Sequence, residues 1–305
     1  MISAPRRRAA NPAWVDTAIT KAWPELQRSI APPIVTTRGK RRHAEELGCG
    51  NYGCVLSTSR DDVVLKITSD PTETAFVSLL LRHELQPDGI VRYFEVLRLP
   101  GERRGRELFA IWREAAYDVG TVTGRHSWED IAAKWRQLLY RLNRFKWWAH
   151  EIRAELKRQD DPWPLIEQAL APEAYRRAGD LVELGRGEML GHGISSEQMR
   201  LGSWSSIADA VILTRWPIRD PVLKLAVLLR ACEMTAQLMG SEPEGYLIGE
   251  ALESLLDEGI LLADVHAGNI GRVDRPDHAG AIVITDPGHA VFLRREYQAF
   301  VGEAA

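Results

Sequence analysis

The sequence predicts an α+β fold in two lobes, a small antiparallel sheet near the N-terminus and a mostly helical remainder. Three observations carry this. From Ala44 to about Trp112 the pattern is short and strand-like, with one helical stretch in it. From Ser127 onward apolar residues recur every three and four positions. From Ile260 short β-branched runs return, separated by Pro, Asp and Gly. With 305 residues, 45% of them hydrophobic, the chain can bury a core in one large domain or in two lobes.

The elements follow in order. Residues 1–42 read as a basic, Pro-rich extension, punctuated by Pro5, Pro12, Pro24, Pro32 and Pro33. Its runs Arg6-Arg7-Arg8 and Lys40-Arg41-Arg42 have the character of a solvated tail. One amphipathic stretch, with Trp14, Ile19, Trp23 and Leu26, argues that part of it docks on the body. Residues 43–113 form the sheet lobe. Val63-Val64-Leu65 and Ile67 make a β-branched run after the polar turn at residues 59–62. Residues 91–99 and 107–112 flank a hairpin loop over residues 100–105, and residues 72–85 have helical spacing. Residues 114–305 form the helical lobe. A capping box at residues 127–130 opens a helix running to about Lys157. Asp220-Pro221 caps a second that stops at Gly240, and residues 241–244 cap a third that ends near Gly259. Strands are expected over residues 260–263, 270–273 and 281–285.

Composition narrows the function classes. The net charge of -3 gives no field that recruits nucleic acid or membrane. The basic N-terminal extension, with nine Lys/Arg against Asp16 and Glu25, is the one departure from that balance. Apolar stretches are too short to span a bilayer, and the basic N-terminus lacks the apolar core of a secretory signal. A cytoplasmic location is expected. Three cysteines do not make a disulfide framework, so Cys49 and Cys54 are expected as reduced thiols. No Cys-x-x-Cys or His-Glu-x-x-His spacing points to zinc.

Two groups of residues carry chemistry. Gly48, Gly50 and Gly53 fall in a Gly-x-Gly-x-x-Gly run with Tyr52 at its tip and Val55 after it. A dinucleotide loop would lead into a helix, whereas here a strand follows. A glycine-rich hairpin is the remaining reading, its backbone amides able to approach phosphate oxygens because Cβ atoms are missing. Lys66 on the next strand supplies an ammonium to neutralise phosphate. Glu73, at the start of the following helix, can hold that ammonium, with Glu84 as the fallback. Near the C-terminus Asp264, Asn269 and Asp286 are oxygen donors at strand ends, a set suited to Mg²⁺.

Taken together, Gly48-x-Gly50-x-x-Gly53-x-Val55, Val64-Leu65-Lys66, Asp264-x-x-x-x-Asn269 and Asp286-Pro287-Gly288 resemble the protein-kinase-like phosphotransferases in order and context. The likeness spans residues 44–113 and 243–290. It implies a two-lobed kinase-like fold, truncated after Asp-Pro-Gly because only 17 residues follow Gly288. It implies ATP and Mg²⁺ as cofactors and transfer of the γ-phosphate to a hydroxyl. Lys66, paired with Glu73, would touch the α- and β-phosphates; Asn269 and Asp286 would hold Mg²⁺; Asp264 would accept the acceptor's proton. Tyr52 would shield the phosphates, and the adenine hinge would fall near Trp112–Ala115, at Glu114.

The acceptor is open on this reading. The glycine run and Val-Leu-Lys favour a protein hydroxyl. The loop Asp264-Val265-His266-Ala267-Gly268-Asn269 looks more like aminoglycoside and choline kinases, which points to a small molecule. Leu262-Ala263 stands where His-Arg usually precedes the catalytic Asp, and Pro287 where Phe is usual. A nucleotide-binding pseudokinase scaffold and an AMP-transferase are the alternatives. A basic helix face with Lys134, Arg136, Arg141, Arg144, Lys146, Arg153 and Lys157 is expected to attract an acidic acceptor if it is more than a solvated surface.

Overall fold

The computed structural model describes residues 12–50, 52–117, 146–191, 218–265 and 267–297. The described residues divide into two compact units, one built from residues 12–86 and Val91–Ala115, the other from Pro87–Ile90 and residues 116–297. Both contain strands and helices, so the α+β class holds.

In the first unit, β1 (Val35–Arg38) and β2 (Arg41–Ala44) form a separate hairpin. β3 (Glu46–Cys49), β4 (Gly53–Ser57), β5 (Val63–Thr68), β6 (Tyr93–Arg103) and β7 (Arg106–Glu114) make an antiparallel sheet in the order β3-β4-β5-β7-β6. All six residues of the central strand β5 are buried. Its alternation sends Val63, Leu65 and Ile67 into one core cluster and Lys66 to the opposite face.

That cluster bears out the docking expected of the Trp14–Leu26 stripe and makes this part of residues 1–42 a packed segment of the first unit instead of a solvated tail. Helices α1 (Ala13–Lys21) and α2 (Trp23–Leu26) bury Val15, Ala18, Ile19, Ala22 and Leu26 against Leu56, Leu65, Ala110 and Trp112. Trp112 is fully buried and donates its indole N–H to Ala31 O at 2.8 Å. Lys40 and Arg41 flank and start a strand, and Arg42 lies 4.6 Å over the Trp23 ring. Asp16 takes His43 Nδ1 at 2.7 Å. The charges lie at the rim of a packed segment, because the apolar stripe outweighs the tail-like composition. Arg6, Arg7 and Arg8 lie outside the described residues.

Helix α3 (Pro71–Arg82) packs on β6 and β7. Asp70 caps it, accepting from the Thr72 N–H at 2.9 Å, with Pro71 in the first turn, where a missing N–H costs nothing. The expected loop over residues 100–105 is mostly strand. β6 and β7 continue to a tight turn at Arg104 and Gly105, both with positive φ, and a bulge between Leu99 and Glu102 absorbs Pro100 and Gly101.

The second unit is built on α4 (Lys146–Arg158), α5 (Trp163–Leu170), α6 (Pro172–Gly191), α7 (Pro221–Gly240) and α8 (Tyr246–Asp257). α7 is capped by Asp220, as its sequence indicates, and packs against the other four helices. Burial around most of its circumference explains why its apolar residues do not form a single stripe. α8 starts at Tyr246 with Gly245 at its cap, later than residues 241–244 suggested. The antiparallel pairs are β8 (Ile260–Leu262) with β11 (Ala290–Phe292), and β9 (Ile270–Asp274) with β10 (Ala279–Ile284).

Pro87–Ile90, expected within the sheet lobe, belongs to this second unit. Ile90 bridges Ile284, and the buried Arg275 donates to Asp88 O and Ile90 O. A Cβ on Gly89 would fall on the Leu247 carbonyl, so only glycine fits there. The helix expected from Ser127 is described only from Lys146, and residues 118–145, with Lys134, Arg136, Arg141 and Arg144, lie outside the described residues. Among the described residues no helix is long and apolar enough to cross a membrane.

Candidate functional site

In the first unit, β3 and β4 carry the glycine run as a hairpin. Cys49 pairs with Cys54 across it, and the Gly50 N–H donates to Gly53 O at 2.8 Å. The glycines serve different ends. A Cβ on Gly53 would lie 2.6 Å from Ile67 O, so packing against β5 demands glycine. Gly48 and Gly50 have open space where a Cβ would stand and no positive φ. The fold does not require glycine at either place, which leaves room beside them for a close-approaching ligand, with the Gly50 N–H itself committed to Gly53 O. Tyr52 is exposed at the tip, 5.6 Å beneath the Arg106 guanidinium.

Lys66 is the register partner of Val55 on β4, so both share one face of the sheet beside this hairpin. Its ammonium lies 2.6 Å from Glu73 Oε1, with side-chain exposures of 8% and 2%. Burial of that degree is tolerable only for a paired charge. The sequence-stated partner is therefore in place, while the fallback Glu84 is exposed beyond the end of α3. Glu114 serves the sheet end: its N–H donates to Arg92 O at 2.8 Å and its Oε2 accepts from the Arg92 N–H at 3.1 Å.

In the second unit, Asp264 follows β8, Asn269 ends a 3-10 turn (Ala267–Asn269), and Asp286 follows β10. The loops are tied: Asn269 Nδ2 donates to Asp264 O at 2.7 Å, and the Thr285 N–H donates to Asn269 O at 2.7 Å. A Cβ on Gly288 would lie 3.5 Å from Asp264 Oδ2 and 3.7 Å from Asp286 Oδ1, so both carboxylates converge on that glycine. With one amide N–H donated to Asp264 O, Asn269 keeps its side-chain oxygen to serve as a metal ligand. Two carboxylates and an amide oxygen fit a hard divalent cation such as Mg²⁺ and do not fit a soft thiolate-binding metal. His266 lies outside the described residues.

Several features escaped the sequence reading. Cys49 and Cys54, expected as thiols, form a disulfide. Their register pairing in a hairpin brings the sulfurs together, which compartment rules for cysteine do not address. Ser69, at the end of β5, donates its N–H (2.9 Å) and hydroxyl (3.1 Å) to Tyr52 O. Arg153 was counted in a solvated basic face but donates to Ala290 O (3.3 Å) and meets His289 Nδ1 (3.1 Å), just after Gly288. No local pattern announces these long-range pairs. A separate pocket of about 360 Å³ between α4 and the start of α7 holds Glu151, Arg158, Arg219 and Lys224, and none of the residues above.

No protein-family model matches the chain, and no curated protein sequence matches it.

Proposed function

We propose that the chain is an ATP- and Mg²⁺-dependent phosphotransferase of protein-kinase-like fold that moves the γ-phosphate to a hydroxyl acceptor, with a protein favoured over a small molecule. The observation that carries this is the buried Lys66–Glu73 pair beside a glycine hairpin whose Gly48 and Gly50 the fold itself does not require. A charge kept so deep serves phosphate neutralisation better than stability, since buried pairs add little net stability. The sheet order and the helix directly after β5 are in keeping with a kinase-like small lobe.

The oxygen donors lie in the second unit. Asp286 and Asn269 would hold Mg²⁺, which neutralises charge on the phosphates. Asp264 is the general base: its carboxylate accepts the acceptor's proton, and its backbone carbonyl orients Asn269. The paired carboxylates at Gly288 support an active enzyme over a nucleotide-bound scaffold.

The test is transfer of label from γ-phosphate-labelled ATP, with Mg²⁺, to a whole-cell lysate and a metabolite panel. Labelled protein supports the protein acceptor, and a labelled metabolite reassigns it to a small molecule. A product carrying adenylate instead of phosphate, or no product at all, overturns the reading.

A further inference from the structure

The Cys49–Cys54 disulfide closes the neck of the glycine hairpin, with Gly50 to Gly53 looped above it. Its Cα atoms are 4.1 Å apart, and the two residues are direct register partners. Above the neck the hairpin is hydrogen-bonded across its turn. The Gly50 N–H is spent on Gly53 O, and Tyr52 O is held by both donors of Ser69. Below it, β3 is the edge strand of the sheet, paired on one side only, bulged between Glu46 and Gly48, and exposed from Leu47 to Cys49. A short, bulged, exposed edge strand is the part of a sheet that opens most readily. The disulfide is the covalent link that fastens it at the tip.

We propose that Cys49–Cys54 is a thiol–disulfide exchange site that governs nucleotide binding by the glycine hairpin. The disulfide pins the exposed edge strand β3 to β4 at the glycine hairpin, and a dithiol reductant releases that strand so that the hairpin can adjust its amides to phosphate. This rests on the phosphate-binding role of the hairpin proposed above.

The two sulfurs differ in access. Cys54 is 1% exposed, whereas Cys49 is exposed at the strand end. A thiolate of the dithiol attacks Cys49 Sγ, and the Cys49–Cys54 bond breaks. Its electron pair leaves on Cys54 Sγ, which takes up a proton. The second thiolate of the reductant then attacks its own sulfur in the mixed disulfide, and Cys49 departs as a thiolate and is protonated. Two electrons and two protons pass to the chain, and the dithiol becomes a disulfide. Disulfides of this reversible kind occur in reducing compartments as redox sensors. Cys232 takes no part, being buried in α7 with its thiol held protonated by desolvation.

The experiment uses the full chain, oxidised or treated with dithiothreitol. Alkylation mass counts the thiols of the folded protein, and calorimetry measures MgATP affinity. Reduction is expected to add two alkylatable thiols and to tighten MgATP binding by about tenfold, a change of 1.4 kcal/mol. The Cys49→Ser variant is expected to bind like the reduced chain with or without dithiothreitol. Equal affinity of the two wild-type forms overturns the exchange site and leaves the nucleotide reading standing. A disulfide that the dithiol cannot reduce in the folded chain also overturns it. Absence of MgATP binding in both forms overturns the nucleotide reading and the exchange role together.

Discussion

Lys66 is the residue on which the chemistry and the stability of the sheet meet. Its ammonium and the Glu73 carboxylate are almost fully enclosed, so removing one partner strands a buried charge. Lys66→Met is expected to cost about 3–5 kcal/mol in urea unfolding as well as phosphoryl transfer. The double variant Lys66→Met, Glu73→Leu is expected to recover most of that stability and none of the transfer, because a well-packed apolar pair can replace a buried ion pair. Recovery of activity in the double variant would show that the charge has no catalytic use. Asp264 offers the complementary test. Asp264→Asn keeps the shape and the backbone carbonyl that holds Asn269, but the amide cannot take a proton. MgATP binding is expected to persist in calorimetry while single-turnover transfer falls about 10²–10⁴-fold. Both groups stood out in the sequence because a lone Lys in a β-branched run and an Asp five residues before an Asn are local patterns. Their surroundings were not legible: Glu73 and Glu84 look alike on paper, and only the helix start against the helix end separates them.

At the scale of elements, α1 is the informative piece. Its residues face a sheet whose opposite face carries Lys66, so the central strands are covered on one side by a segment that composition marks as a tail. Ile19→Ala is expected to cost about 2–5 kcal/mol, read as a lower urea midpoint, as for a fully buried side chain. A solvated extension would give a change within about 0.5 kcal/mol. The stripe Trp14, Ile19, Trp23, Leu26 was visible beforehand, but the surface it fills was not. That surface comprises residues from β4, β5, β6 and β7, which are up to about one hundred positions away in the chain. The expected hairpin is present, but its loop shrinks to Arg104-Gly105 for a related reason. Pro100-Gly101 signals a turn locally, yet a bulge let the strands run past it.

For the molecule as a whole, the buried Cys232 gives stability a dependence on pH. Burial, with a smaller contribution from Glu233, pushes its thiol pKa well above the ordinary range. A raised acid pKa means the folded state keeps the proton that the unfolded state releases. Stability is therefore undiminished below the unfolded thiol pKa of about 8.5 and is lost as pH climbs above it, at up to about 1.4 kcal/mol per unit. Chemical denaturation between pH 7.5 and 9, below the range where Tyr175 and Tyr297 add a slope of the same sign, checks this, and Cys232→Ala is expected to flatten the slope there. An unchanged slope in the variant would assign the pH dependence to other groups.

The sequence by itself determined the α+β class, the glycine hairpin, the cap at Asp220 and the choice of Lys66, Asp264, Asn269 and Asp286 as candidates. Each of these is written in neighbours a few positions apart, where spacing, turn chemistry and periodicity act directly. Tertiary structure alone decided which face of the sheet α1 covers, that Pro87–Ile90 belongs to the second unit, that Cys49 and Cys54 are joined and that Arg153 meets the turn after Gly288. Those outcomes depend on which distant surfaces meet. Burial free energy is non-directional and accrues only when the surfaces are brought together, so no local pattern records the partner.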